Sequence, residues 1–190
     1  SSNPPVGGIK DGPVGPWHGV AYTDYTGTKF NVFGSGNNGI YSLGTLNLNG
    51  SNVTFNVSGN SNDGVDLGGG TATVTSNTYT VSGSNNNGIN VRNGSTLTNV
   101  TNSTFNVTGD SSNGILKRTS NPTVITNGTF NVSGTGASGI IYSGGSASET
   151  ITNSTFNVSG GNTTAGIVMD DATKITVNGS PDTLFTVSNG

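Results

Sequence analysis

The chain has 190 residues, 32 of them Gly, with no Cys, a net charge of −3 and charged side chains at only 8 %. The absence of Cys excludes disulfides and thiolate metal sites. The 6 scattered cations exclude the basic patch that nucleic acid needs, and no apolar run is long enough to cross a bilayer.

Residues 1–29 do not repeat. Pro4, Pro5, Pro13 and Pro16 would interrupt a sheet, while Trp17, Tyr22 and Tyr25 are suited to covering the open end of one. This segment is read as an N-terminal cap or partial first coil, with a linker as the alternative. From residue 30 to residue 190 a motif recurs, Thr-Phe-Asn-Val-Ser-Gly followed after a short gap by Gly-Ile. Its successive starts are Phe30, Phe55, Tyr79, Phe105, Phe130, Phe156 and Phe185, a period of about 25 residues. Disorder has no use for apolar residues at such fixed intervals.

Each motif alternates with period two. Phe105 and Val107 face one way, and Thr104, Asn106 and Thr108 the other, as expected of a half-buried strand. Gly34, Gly59, Gly83, Gly109, Gly134 and Gly160 follow, where a turn would want positive φ. A second strand opens at Gly39-Ile40, Gly64-Val65, Gly88-Ile89, Gly114-Ile115, Gly139-Ile140 and Gly166-Ile167. A third, looser one includes Leu46 to Leu48, Ala72 to Val74, Leu97 to Val100 and Ile175 to Val177. Asn102, Asn127 and Asn153 close it at a corner, since Asn tolerates the left-handed conformation.

Three short strands and three corners per repeat predict an all-β, right-handed parallel β-helix of about seven coils. Strand spacing gives it a length of roughly 34 Å. One coil cannot bury its own apolar face, so stacking must line Phe on Phe and Ile on Ile. The 29 % of hydrophobic residues suffices because they fill ladders inside a tube.

Two surfaces are candidate sites. The outward side of the first strand carries columns of small polar groups, among them Thr54, Asn56, Thr104, Asn106, Thr129, Asn131, Thr155 and Asn157. Such a lattice is either a solvated face bonded along its own ladders or a surface for docking on another copy. Repeat-to-repeat variation is concentrated after Gly-Ile, in stretches that carry charged and aromatic residues at Tyr41, Asp66, Arg92, Lys117, Arg118, Tyr142, Asp170 and Asp171. Variable positions of a repeat protein map to one edge, often the binding edge. Beside them Leu116, Ile141 and Val168 are expected as an exposed apolar column. No metal ligand set and no cofactor motif is present in the sequence. A carbohydrate-active enzyme is the minor alternative. It needs two facing carboxylates, and Asp63 with Asp66 and Asp170 with Asp171 are the only acidic pairs close in sequence.

The run Asn153-Ser154-Thr155-Phe156-Asn157-Val158-Ser159-Gly160, with Gly139-Ile140, resembles the passenger domains of Gram-negative autotransporters. These include pertactin-like, self-associating and fusobacterial adhesin passengers, and the resemblance covers residues 30–190. It implies a cell-surface adhesin, anchored to the outer membrane by a β-barrel elsewhere, that binds a host or bacterial surface protein or glycan. A self-associating adhesin, or a stalk presenting a head located elsewhere, are the alternatives. The sequence stops mid-repeat at Val187 to Gly190, so the chain is expected to be part of a longer passenger that does not itself insert into the membrane.

Overall fold

A computed structural model describes residues 9–11, 25–50, 52–144, 148–169, 174–179 and 183–188. They form an all-β parallel solenoid with three sheets and no helix, right-handed as parallel crossovers require. The first sheet stacks the strands Lys29–Val32, Thr54–Val57, Thr78–Val81, Thr104–Val107, Thr129–Val132, Thr155–Val158 and Leu184–Val187. The second stacks Ile9–Asp11, Asn38–Ser42, Asp63–Leu67, Asn87–Val91, Asn113–Lys117, Ser138–Tyr142 and Ala165–Met169. The third stacks Thr45–Leu48, Thr71–Thr75, Thr96–Thr101, Val124–Thr126, Ser148–Thr152 and Lys174–Asn178. The last repeat supplies only its first strand, so seven motif starts make about 6 full turns. Strand Ile9–Asp11 lies on the edge of the second sheet, pairing Ile9 with Ile40. Trp17 and Tyr22 lie outside the described residues, and Tyr25 is buried.

Every pairing in the first sheet is in register, Phe on Phe or Tyr and Val on Val, with Thr80 and Thr186 standing for Asn in the column between. The rings of Phe30, Phe55, Tyr79, Phe105, Phe130, Phe156 and Phe185 therefore form one stack inside the tube. Neighbouring Phe55 and Tyr79, for example, lie 4.8 Å apart and 2° from parallel. The Tyr79 hydroxyl is buried among these rings without a hydrogen-bond partner.

The glycines of the Gly-Ile element make room for this stack. A Cβ on Gly88 would sit 2.6 Å from the Gly114 carbonyl oxygen and 3.2 Å from the Phe105 ring. The glycines that follow the first strand of each repeat divide into two groups. Gly34, Gly59 and Gly83 have φ of 91°, 91° and 83°, as a left-handed turn demands. Gly109, Gly134 and Gly160 are not left-handed, and glycine is needed there because the backbone of the preceding coil approaches too closely for a Cβ. The corner Asn residues behave as expected, with φ of 49°, 52° and 50° at Asn102, Asn127 and Asn153.

Buried corners are held by side chains that reach one coil along the axis. The Asn62 backbone N–H donates to Asn86 Oδ1, and the Asn62 side-chain amide donates to the carbonyl oxygens of Gly34 and Ser58. Backbone groups that a sharp corner would orphan are thereby satisfied.

Candidate functional site

The outward face of the second sheet brings Asp63, Asp66, Arg92 and Arg118 onto one side of the solenoid. Asp63 and Asp66 both point outward although three residues apart, because Gly64 between them turns toward the aromatic stack. Arg92 grips Asp66 with two bonds, Nε at 2.7 Å and Nη2 at 2.6 Å. The Tyr41 ring lies 5.6 Å from that guanidinium, and Asn38 donates to the same carboxylate at 3.1 Å. This paired carboxylate raises the Arg92 pKa further above its already high value.

Asp63 has no cation bonded to it. Its two oxygens accept amide protons from Asn87 at 2.8 Å and Asn90 at 2.9 Å. Burial holds its carboxyl above the ordinary carboxylate pKa, against the pull of those two bonds. Asn113 continues the column, donating to Asn87 Oδ1 at 2.9 Å. Asn113 is only 7 % exposed, and its own Oδ1 accepts no hydrogen bond. Arg118 is exposed, and its Nη1 donates to Asn90 Oδ1 at 3.2 Å. With Ser61, Asn85, Ser111 and Leu116 these side chains line an open groove of about 460 Å³ across three coils.

The residues expected at a variable edge are thus divided. Tyr41, Asp66, Arg92 and Arg118 meet on this face. Lys117 and Tyr142 instead point into the tube, 1 % and 2 % exposed. The strand phase explains the correction. Both occupy the core column that also holds Leu67 and Val91, two residues beyond Ile115 and Ile140. That alignment was available in the sequence. Lys117 Nζ contacts Glu149 Oε1 at 2.6 Å and donates to the Thr119 carbonyl oxygen at 2.9 Å. Its charge also lies 5.7 Å from the Tyr142 ring centre. Glu149 Oε2 accepts the Thr123 N–H at 2.8 Å. Pro122 precedes this short third-sheet strand, so the carboxylate takes over a backbone donor that the ladder leaves unused. Leu116, Ile141 and Val168 do face outward as a column, but Leu116 is 8 % exposed and the other two are half-buried. Asp170 and Asp171 lie outside the described residues.

The polar lattice of the first sheet is largely bonded to itself. Asn56 donates to Asn31, Asn131 to Asn106 and Asn157 to Asn131, each at 2.8 Å. Thr80 replaces Asn in this column and interrupts it. The flanking Thr54, Thr104, Thr129 and Thr155 are half-buried. Among the described residues no group of three or more His, Cys, Asp or Glu is placed to hold a metal ion. No helix in that set is long and apolar enough to cross a membrane. No family model, curated protein or solved structure matches the chain, so the functional reading rests on the solenoid and this one face.

Proposed function

We propose that this solenoid is part of an extracellular adhesin, of the autotransporter-passenger kind that its repeats resemble, and that it attaches through the outward face of its second sheet. The observation that carries the reading is a polar groove lined by Asp63 and Arg118, with the Asp66–Arg92 ion pair on the same sheet, on a rod whose neighbouring polar lattice bonds to itself. A rigid scaffold presenting a variable, polar concavity is the arrangement of a binding module. Both carboxylates on the face are engaged, Asp66 by Arg92 and Asp63 by two amides, which supports binding over acid–base chemistry.

Beads coated with the chain should adhere to host or bacterial cell surfaces, with retention reduced by Arg118→Ala and unchanged by Thr129→Ala. Equal retention of the two variants would move the attachment face elsewhere. No retention by any coated bead would leave the stalk reading. Concentration-dependent oligomers in sedimentation velocity, weakened by Arg118→Ala, would turn the reading to self-association.

A further inference from the structure

The groove's chemistry narrows its ligand. Nearly every lining group is an amide, a hydroxyl, a carboxylate or a guanidinium, and Leu116 is the one apolar side chain. Donors and acceptors are interleaved, and the two formal charges facing the groove, Asp63 and Arg118, are opposite in sign. An anionic ligand would meet the Asp63 carboxylate, and a cationic one would meet Arg118. Nucleic acid and sulfated polymers are disfavoured on the same ground. A peptide strand has no open backbone edge to join here, because Asp63–Leu67, Asn87–Val91 and Asn113–Lys117 are paired on both sides.

The lining also repeats along the axis. Asp63, Asn87 and Asn113 form one column, paired position by position, and Ser61, Asn85 and Ser111 line the groove one coil apart beside it. Each coil rises about 4.8 Å, close to the advance per residue of an extended sugar chain. Vicinal hydroxyls both donate and accept, so each sugar can pair with an amide on one coil and a hydroxyl or guanidinium on the next. Leu116 supplies the apolar contact that a ring's C–H face requires. Asn113 lines the groove with an Oδ1 that has no hydrogen-bond partner although buried acceptors are nearly always satisfied; the atom is closed to solvent, so the amide must swing outward to meet a ligand.

We infer that the groove binds an uncharged glycan chain laid along the solenoid axis, spanning the coils of Asp63, Asn87 and Asn113. The inference rests on the attachment face proposed above.

The test is calorimetry of the full chain against neutral oligosaccharides: gluco-, manno-, galacto- and N-acetylglucosamine series of increasing length. Binding should be saturable for at least one series and strengthen up to about the length that spans three coils. Arg118→Ala should weaken it about tenfold, and Leu116→Ala should weaken it too, while Asn131→Ala on the first sheet leaves it unchanged. Far-UV circular dichroism identifies any variant that fails to fold, and the exposed Arg118 then carries the test. Failure of all neutral series overturns the glycan assignment, even while beads still adhere through the Arg118 face. Binding only of heparin or polysialic acid, falling steeply with salt, overturns the neutrality. Binding indifferent to Arg118→Ala overturns the groove. Loss of bead adhesion altogether removes the adhesin reading separately.

Discussion

Lys117 and Glu149 form an ion pair inside the tube, with both side chains at 1 % exposure or less. Two charges removed from water are tolerated only while each satisfies the other. Lys117→Met alone, or Glu149→Gln alone, is expected to cost roughly 3–5 kcal/mol. The double change Lys117→Met with Glu149→Leu should recover most of that loss. Urea unfolding of the three variants checks the pattern. Tyr79 is the converse case, a single hydroxyl stranded in an aromatic stack. Tyr79→Phe removes an unsatisfied polar atom without leaving a void, and should raise stability by about 1 kcal/mol. Burial raises the Tyr79 and Tyr142 pKa values above the ordinary value of about 10. Above that pH the unfolded chain releases phenolic protons that the folded chain retains, so stability must fall as pH rises. Asp63 is an acid with the same direction of shift. Between its ordinary and its raised pKa the folded state binds more protons than the unfolded one. Stability contributed at this site therefore increases as pH falls through the raised value. Asp63→Asn should flatten that part of a melting-temperature profile measured from neutral pH downward.

At the scale of the strand, the unit of stability is the ladder. The Asn column of the first sheet is interrupted at Thr80 and ends at Thr186. Thr80→Asn should extend it between Asn56 and Asn106 and stabilise by about 0.2–1 kcal/mol, read as a shift in the urea midpoint. The same logic sets how much was legible in the sequence. Period, strand count and in-register stacking followed from the recurring Phe and Val, because like positions a coil apart must meet. The left-handed corners at Asn102, Asn127 and Asn153 followed from residue type alone. The glycines of Gly-Ile were legible as a position but not as a reason, since their role depends on phenyl rings that arrive from another sheet. Lys117 and Tyr142 were misplaced because charge and polarity argued for the surface while the phase of Leu67 and Val91 argued for the core. In a solenoid the phase prevails, since flipping one side chain outward would break register with both neighbouring coils. The groove was half legible. Arg118 stood out by charge and Asp63 as one of a close acidic pair, whereas Asn87, Asn90 and Asn113 were indistinguishable from the many Asn residues around them.

For the whole molecule, stability is close to a sum over neighbouring coils. Coils inside the stack have two neighbours, and the coil of Leu184–Val187 has one among the described residues. There Leu184, Phe185 and Val187 are 54 %, 45 % and 75 % exposed, while Phe105 and Val107 are fully buried. Hydrogen exchange should accordingly be slowest for the amides of Thr104–Val107 and fastest for those of Leu184–Val187, with no single global transition. The direction of the ladder bonds has a mechanical consequence. Strands run across the rod, so the hydrogen bonds between coils lie along its axis. Tension applied along that axis loads the coil interfaces in series, and the weakest yields first. A released coil of about 25 residues lengthens from one strand spacing to roughly 80 Å. A rod pulled in this way pays out slack one coil at a time, which limits the peak force it transmits.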